Sequence, residues 1–285
     1  MPIAPEPPLS RPSGRGAGGE GPPQRMRFVL CTCPGLIAPR VLAGLLRSPR
    51  LELAGVVCSS RILSARYGSA RGAWEQVQRS GLAYSAYLWL ATSGADWVQR
   101  ARCAAHPSVA GMARARSVPL LTTRDVNGAS GRRFVEGCRP DLIVSAFFNQ
   151  RLGEGLLDLP PLGCVNIHPS MLPDFKGVDP VFFSRLEGAA LGVTVHRMTA
   201  ALDAGAVLAR APVAVAHGAS VAMASAELFA AGAALLVEQL DAIERGWAGE
   251  AQHGAGRYDS WPDPAQVRAM RSKSGALVRV ADLFV

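Results

Sequence analysis

The stretch GCVNIHPSMLPDFKGVDP occupies residues 163–180, and LGVTVHRMTAALDAG follows at residues 191–205. Each contains an apolar segment of strand length, at 163–167 and 191–198, and then continues into polar residues. The first strand should end near His168, because the proline that follows cannot donate to a strand ladder and restricts the residue before it. The positions of the other predicted elements are described relative to these two strands.

Three polar side chains lie at the ends of these strands or just after them. Asn166 and His168 are two residues apart, so both point to the same side of the first strand. Asp203 lies just after the second strand, in a Leu-Asp-Ala-Gly turn. Ligands of open α/β sheets bind beyond the carboxyl ends of the strands. We therefore expect an amide, an imidazole and a carboxylate to meet at the rim of a sheet.

Strand and helix patterns alternate from residue 26 onward. Residues 27–31 form a short apolar strand, residues 36–47 repeat apolar side chains at helical spacing, and residues 51–58 form the next strand. This order predicts an α/β fold with a Rossmann-like, doubly wound and mostly parallel sheet. The first strand-to-helix turn reads CTCPGL and lacks the GxGxxG pattern of a dinucleotide site.

The same criteria predict further elements along the chain. Strands are predicted at residues 118–121, 141–145, 206–215 and 276–280. Helices are predicted at residues 93–105, 131–138, 219–245 and 264–271. The first of these helices opens with a capping-box pattern at residues 93–96. The apolar run at residues 84–90 is expected to pack on the sheet rather than line a pocket.

Composition divides the chain into three segments. Residues 1–25 are rich in Pro, Gly and Arg, so they are predicted to be disordered, and they lack the apolar region of a secretory signal. They form either a flexible extension or a stretch ahead of a start at Met26. Residues 26–246 form the predicted folded domain. Residues 247–285 form a short C-terminal extension, too small for an independent domain.

Composition also narrows the classes of function. The net charge is +8, but lysine occurs only at Lys176 and Lys273 and the arginines are scattered, which does not favour a nucleic-acid surface. No apolar run approaches ~18 residues, so a membrane-spanning helix is not expected. The six cysteines form no CxxC pair, which favours buried thiols in a reducing, cytoplasmic setting.

The polar trio favours one kind of chemistry. An asparagine amide can donate to a developing oxyanion, a histidine can take a proton from a nucleophile, and an aspartate can hold the imidazole. The sequence has no GxSxG elbow and no His or Cys cluster with zinc spacing. It therefore favours direct acyl transfer between two bound substrates, without a metal, over covalent or metal-assisted hydrolysis.

Each residue also has a structural interpretation when it is taken alone. Asn166 could cap a loop, and His168 could be a buried histidine whose hydrogen bonds are satisfied. Asp203 could simply serve the turn before Gly205. His196 lies within the second strand and is predicted to be a packing or rim residue. Spacing alone leaves both interpretations of the trio open.

The pattern resembles the folate-dependent formyltransferase family, whose members act on methionyl-tRNA, glycinamide ribonucleotide or amino sugars. The resemblance covers about residues 26–245, is weak between 60 and 118, and rests on the motif Asn-x-His-Pro-Ser-x-Leu-Pro with a downstream Asp. The matching positions are 166–170, Leu172, Pro173, Gly177, Pro180, 192–194, Asp203 and Gly205, with 140–145 and 157–160 upstream.

The resemblance implies a formyltransferase fold and 10-formyltetrahydrofolate as the formyl donor. It implies that Asn166 stabilises the tetrahedral oxyanion, that His168 helps to deprotonate the attacking amine, and that Asp203 holds His168 or a bridging water. The implied donor contacts are Phe147, Phe148, Asn149, Arg151, Leu152 and Leu202, and the implied acceptor contacts are Ser170, Lys176 and Gly177.

The acceptor is less well defined. Residues 203–206 read Asp-Ala-Gly-Ala, where the tRNA enzymes of the family typically have Asp-Thr-Gly-Pro, and residues 195–198 look closer to the amino-sugar enzymes. Residues 247–285 carry five basic and four acidic side chains, a poor match to the tRNA-binding barrel expected of the tRNA enzymes. We therefore expect a small-molecule amine, such as an amino-sugar nucleotide or a specialised-metabolite amine.

The alternatives are methionyl-tRNA as the acceptor, hydrolysis of 10-formyltetrahydrofolate, and folate or nucleotide binding without catalysis. The intact trio argues against binding alone. The C-terminal extension could also pack against a second subunit and give a homodimer.

Overall fold

The computed structural model describes residues 25–62, 68–94 and 108–284. The predicted disordered tail, apart from Arg25, lies outside these ranges. The helix predicted at residues 93–105 also lies outside them, apart from its first two residues, which belong to the π-helical turn Leu90–Gly94.

Nine strands are formed by the described residues. They are β1 (Met26–Thr32), β2 (Leu51–Ser59), β3 (Leu120–Thr123), β4 (Leu142–Ala146), β5 (Cys164–His168), β6 (Lys176–Gly177), β7 (Gly192–Arg197), β8 (Val207–Pro212) and β9 (Tyr258–Asp259). Seven of them form one sheet in the order β3-β2-β1-β4-β5-β7-β8. The pairs from β3 to β5 are parallel, whereas the β5–β7 and β7–β8 pairs are antiparallel. The predicted mostly parallel sheet is confirmed.

Helices cover both faces of this sheet. Within the described ranges they are α1 (Ala38–Leu45), α2 (Ser69–Trp89), α3 (Val109–Arg114), α4 (Ala129–Cys138), α5 (Glu154–Leu157), α6 (Pro180–Glu187), α7 (Val221–Glu238), α8 (Leu240–Glu244), α9 (Pro264–Ser274) and a 3-10 helix at Val280–Phe284. The α/β, doubly wound architecture predicted from the strand–helix alternation is therefore the observed one.

The central strands are apolar on both sides because helices cover both sides. In β1, Phe28 and Leu30 join the core that contains α1 and α7. Val29 and Cys31, on the opposite side, join the core that contains α4. Parallel strands that are buried on both faces read as unbroken apolar runs, which is the pattern seen in the sequence.

Helix α7 lies directly beneath the strand that carries the candidate site. Gly232 faces Ile167 of β5, and a methyl group at Gly232 would come within 2.3 Å of the Ile167 Cγ2 atom. Among the described residues, α7 is the helix long and apolar enough to cross a membrane, and 56% of it is buried in the protein. Its apolar character is explained by packing, because α1, β5 and β7 all contact it.

A second core joins α2, α6 and α9 beside the sheet. The fully buried ring of Tyr84 packs edge-on against Phe182 and Trp261. The Tyr84 hydroxyl donates to the Asp179 carboxylate at 2.9 Å. The apolar run at residues 84–90 therefore packs in the core, as expected, but it does so within a helix that the sequence did not predict.

The strand predicted at residues 276–280 is wrong. The carbonyl oxygens of Ala276 and Leu277 accept hydrogen bonds from the N–H groups of Val221 and Ala222, at 3.1 and 2.9 Å. N–H groups in the first turn of a helix have no partner within that helix. The segment therefore caps α7 instead of pairing with a sheet.

Several predicted boundaries differ from the observed ones, for example in one helix and one strand. The helix predicted at residues 219–245 is divided at Gln239 into α7 and α8. The strand predicted at residues 118–121 lies slightly later in the chain, as β3. Both differences leave the order of elements unchanged.

Asp179 is expected to make the protein less stable as the pH rises. Burial raises the pKa of its carboxyl group to about 6, against hydrogen bonds from Tyr84 and the Phe182 N–H that lower it. Because the folded pKa exceeds the unfolded value of 3.8, the stabilisation is complete below pH 3.8 and is lost as the pH rises through 6. We expect the melting temperature of the wild type to fall relative to that of Asp179→Asn across this interval, measured by circular dichroism.

The asparagine in this variant keeps an acceptor for the first turn of α6, so the helix cap is preserved. Parallel melting curves for the two proteins from about pH 4 to pH 8 would contradict the assignment of this pH dependence to Asp179.

Candidate active site

Strands β5 and β7 place four polar side chains on one face of the sheet. Their antiparallel register sets Asn166 opposite His196 and His168 opposite Thr194. Alternate residues of a strand share a face, so these four side chains lie together. Ile167 points to the opposite face, into the core that contains α7. Strand β5 ends at His168, as the following proline predicted.

Asp203 reaches the same place from the turn after β7. Its backbone is left-handed, with φ at 50°, a conformation that aspartate tolerates better than most residues. Its Oδ1 atom lies 3.6 Å from His168 Nδ1, and its Oδ2 atom accepts a hydrogen bond from the Gly177 N–H at 2.8 Å. Gly205 allows the turn to close, because a methyl group there would come within 1.8 Å of the Arg197 carbonyl oxygen. The structure thus brings the predicted trio together.

The hydrogen bond on the far side of His168 defines its tautomer. Its Nε2 atom lies 3.0 Å from the carbonyl oxygen of Phe175, which can only accept, so Nε2 carries the proton. In the neutral ring the Nδ1 atom then carries a lone pair, and this lone pair faces Asp203. At 3.6 Å the contact is longer than a hydrogen bond, but a proton taken up at Nδ1 would face a carboxylate.

His196 is the residue at this site that sequence reasoning missed. Its Nδ1 atom lies 2.8 Å from the Arg197 carbonyl oxygen, so Nδ1 carries the proton and Nε2 is an acceptor. Burial, and next the neighbouring His168, lower the pKa of His196 to about 4, so the ring is neutral at physiological pH. The alternation of side chains along β7 predicts that His196 faces one side of the sheet. Only the register of β7 with β5 shows that Asn166 and His168 face the same side.

The neutral His196 ring orients the amide of Asn166. The Asn166 Nδ2 atom lies 3.1 Å from His196 Nε2, and it is the amide nitrogen that can donate to this lone pair. One N–H bond of the amide is therefore committed to His196. The second N–H bond of the same amide is directed away from His196.

The loop after β4 is held in place by backbone and side-chain hydrogen bonds. Phe147 has a φ of 52°, and its carbonyl oxygen accepts from the Cys33 N–H at 2.9 Å. Asn149 accepts from the Ser59 hydroxyl at 2.5 Å and donates to the Arg61 carbonyl oxygen at 2.8 Å. Two of the predicted donor contacts therefore lie on a loop with a fixed shape.

The same loop is joined to the turn that carries Asp203. The guanidinium group of Arg151 donates to the carbonyl oxygen of Ala200. Leu202, next to Asp203, is 42% exposed. The predicted donor contacts on both segments thus lie along one continuous rim.

Two other predicted donor contacts point into the protein. Leu152 is 5% exposed and belongs to the core that contains α4, and Phe148 packs against the same core. Their side chains support the loop, so any contact of Leu152 with a ligand would be made by its backbone.

The three predicted acceptor contacts also differ from one another. Ser170 is 2% exposed and its hydroxyl donates to the Asp174 carbonyl oxygen at 2.8 Å, so the side chain folds the loop and is not presented to a ligand. Lys176 donates to the Ala255 carbonyl oxygen at 3.3 Å. Gly177 contributes its N–H group to Asp203.

The cysteines and the metal-ligating residue types do not add to the site. The described residues contain no group of three or more His, Cys, Asp or Glu side chains placed for a metal ion. The five described cysteines are buried, and burial raises the pKa of Cys33 and of Cys164 to about 12. The thiols of Cys33 and Cys164 are therefore protonated and are not activated nucleophiles.

Comparison with known sequences points to one family. A family profile described as "Formyl transferase" matches residues 78–240. The methionyl-tRNA formyltransferase of Roseiflexus sp. strain RS-1 is 40% identical over 130 residues, which cover 45% of this chain and 40% of that protein. The Bacillus licheniformis enzyme of the same name is 38% identical over 138 residues, or 48% of this chain and 44% of that one. The chain thus spans less than half the length of these relatives.

Solved structures share the fold. Glycinamide ribonucleotide transformylase 1 from Symbiobacterium toebii superposes with a TM-score of 0.53 and 19% identity, covering 82% of this chain and 93% of that one. A 4-N formyltransferase from Francisella tularensis gives 0.51 and 15% identity, covering 83% and 76%. Since the family profile matches more than half of the 285 residues, and includes all three residues of the polar trio, the chain belongs to the formyl transferase family.

Proposed function

We infer that the protein transfers a formyl group from 10-formyltetrahydrofolate to the amine of a small molecule, by direct attack through a tetrahedral intermediate. The observation that carries this proposal is the 3.6 Å approach of His168 Nδ1 to Asp203 Oδ1, beside the Asn166 amide. Membership of the formyl transferase family supports the same reaction.

Asn166 is suited to stabilise the oxyanion. When an amine attacks the formyl carbon, negative charge collects on the formyl oxygen, and a fixed N–H donor lowers the energy of that state. The Asn166 amide has one N–H bond held by His196 and a second that can meet the oxyanion. His196, being neutral, fixes the amide without adding charge.

His168 is suited to take the proton of the attacking amine. Its Nε2–H group remains bonded to the Phe175 carbonyl oxygen, so the proton is accepted at Nδ1. The cation that forms there faces Asp203, whose own orientation is fixed by the Gly177 N–H. The carboxylate thereby stabilises the charge that develops during the attack.

The atoms of the reaction then balance. A bond forms between the amine nitrogen and the formyl carbon, and the bond between that carbon and the folate nitrogen breaks. The proton lost by the amine is returned to the folate nitrogen by His168 and Asp203, directly or through a water. No covalent enzyme intermediate is needed.

The rim formed by residues 147–152 and Leu202 is the segment that we propose for the flat heterocycle of the donor. It presents the Leu202 side chain, which is exposed, and a loop whose shape is fixed by Asn149 and by the Phe147 backbone. We place the pterin of the donor there, held mainly by backbone groups.

Methionyl-tRNA is the second candidate acceptor. It is favoured by the names of the curated relatives that match at 35–40% identity. A small amine is favoured by the Asp-Ala-Gly-Ala turn at residues 203–206 and by the near balance of charges in residues 247–285. We assign the catalytic unit to residues 26–246, with 247–285 as an extension, and the protein to the cytoplasm, which suits its buried thiols.

The test is a panel of amines incubated with enzyme and 10-formyltetrahydrofolate while release of tetrahydrofolate is followed. A nucleotide-linked amino sugar, glycinamide ribonucleotide and methionyl-tRNA form the panel. We expect turnover with a small amine. Faster turnover with methionyl-tRNA would overturn the choice of acceptor, and full turnover without any amine would indicate a hydrolase.

A further inference from the structure

The C-terminal extension lies against the residues that hold the candidate catalytic pair. The family profile ends at residue 240, whereas residues 250–259 contact the site. Gly256 approaches the loop so closely that a methyl group on it would come within 2.0 Å of the Pro173 carbonyl oxygen. The extension is therefore packed onto the loop between β5 and α6.

The two edges of the short strand β6 have different partners. On one edge, the N–H groups of Lys176 and of Val178, the residue after β6, donate to carbonyl oxygens at 2.8 and 2.9 Å. The acceptors are Arg257, the residue before β9, and Asp259 in β9. Between these two N–H groups, that of Gly177 points away from β9 and donates to Asp203 Oδ2 at 2.8 Å.

The backbone groups on the other edge of this segment contact His168 and Asp203. The Phe175 carbonyl oxygen accepts from His168 Nε2, and the Gly177 N–H group donates to Asp203 Oδ2. The bonds to β9 thus fix the segment that determines the tautomer of His168 and the direction of the Asp203 carboxylate. A shift of β6 by one residue would reverse these two edges.

A second contact holds the turn that carries Asp203. The side-chain amide of Gln252 donates to the carbonyl oxygens of Asp203 and Gly205, at 2.9 and 2.8 Å. Two residues earlier, the backbone of Glu250 exchanges two hydrogen bonds with the backbone of Val207 in β8, at 2.7 and 2.8 Å. The extension therefore holds both members of the catalytic pair, from two different directions.

A side-chain cluster anchors β9 on its outer side. Arg257 pairs with Glu187 and with Asp259, and its guanidinium group lies 5.6 Å from the centre of the Phe175 ring. Phe175 is the residue whose carbonyl oxygen meets His168. Phe175 thus belongs both to the cluster around Arg257 and to the candidate active site.

We propose that Gln252 and residues 256–259 form a positioning element of the active site, which fixes the Nε2–H tautomer of His168 and the orientation of Asp203. This rests on the proposed formyl transfer for its effect on rate, but the tautomer is a property of the free protein. In this proposal the residues of the extension act through His168 and Asp203, so they are positioning residues.

The main test compares two alanine variants of neighbouring glycines. Gly254 and Gly256 both have positive φ, at 83° and 64°, so alanine strains both, but only a methyl group at Gly256 meets another atom within 4 Å. We expect Gly256→Ala to lower kcat by roughly 10- to 100-fold relative to Gly254→Ala, with KM for the donor changed much less, because the displaced loop misplaces His168.

The 15N chemical shifts of the His168 imidazole in the ligand-free protein provide the second readout. We expect the Nε2–H form in the wild type and in Gly254→Ala, and a mixture of tautomers in Gly256→Ala. Equal kcat values together with the same His168 tautomer in the two variants would overturn the proposal. If the wild type formylates no amine, the proposed function fails while the tautomer measurement still decides this inference.

Gln252→Glu tests the second contact without a backbone change. It replaces two N–H donors with carboxylate oxygens that face the carbonyls of Asp203 and Gly205, so the turn should be displaced and kcat should fall by roughly 10-fold or more. Gln266→Glu is the matched control, because the Gln266 side-chain oxygen accepts a hydrogen bond from the Asp263 N–H, and a glutamate oxygen can accept the same bond. A kcat for Gln252→Glu within twofold of that control would contradict the role of Gln252.

Discussion

Replacing His168 with alanine is expected to lower kcat for formyl transfer by roughly 100- to 10,000-fold, the range typical of losing a general base. The imidazole is 4% exposed, and its Nδ1 atom faces Asp203 at 3.6 Å, so bulk water cannot readily take its place. Asp203→Asn should also lower kcat strongly, because the amide removes the charge opposite Nδ1. Both values are obtained from tetrahydrofolate release at saturating donor and amine.

The control is His217→Ala, which removes an exposed histidine from the loop between β8 and α7 and should leave kcat unchanged. Melting temperatures of all three variants show whether they fold. Full activity of both His168→Ala and Asp203→Asn, with normal folding, would falsify the assigned roles.

Asn166→Leu is expected to lower kcat by roughly 100- to 1000-fold, the cost of removing one oxyanion donor. Leucine has a similar size but no N–H group, so KM should change much less than kcat. His196→Phe is the graded companion: it keeps the Asn166 amide but removes the 3.1 Å contact that orients it, and should give a smaller loss.

The relative size of the two losses in kcat distinguishes the orienting of the amide by His196 from the stabilisation of the oxyanion by Asn166. The measurement is kcat for both variants under identical saturating conditions. A larger loss in His196→Phe than in Asn166→Leu would mean that His196 acts on the substrate itself, and not through the amide.

The core of the fold could be predicted from the sequence because its signals are local. The strands β1, β4 and β5 are short apolar runs bounded by turn residues, and parallel strands between helices leave that pattern. The end of β5 followed from one proline after His168. The convergence of the polar trio followed from the rule that α/β sites lie beyond the strand ends.

The features that were not predicted depend on contacts between distant segments. The role of His196 requires the antiparallel register of β7 against β5, which the sequence of β7 does not specify. Strands β6 and β9 have two residues each, too few to show a period, and they pair across about eighty residues of chain. Their effect on His168 is invisible until both edges of β6 are seen.

Local composition also misled the prediction in two places. Helix α2 carries glycines at positions 72 and 81, and Gly81 has non-helical backbone angles, so the helical pattern is interrupted. Residues 276–280 have strand-like composition but satisfy the N–H groups at the start of α7 instead. In both cases tertiary packing outweighed the local preference.

A single-turnover experiment with 13C-formyl donor tests the central claim most directly. Enzyme in excess over donor is mixed with the amine that the panel identifies, and the amine is analysed by mass spectrometry while tetrahydrofolate is measured in the same samples. We expect labelled formamide and tetrahydrofolate to appear together in equal amounts in the wild type and to be nearly absent in His168→Ala. Labelled formate in place of the formamide, or equal single-turnover rates in the two proteins, would contradict direct transfer at this site.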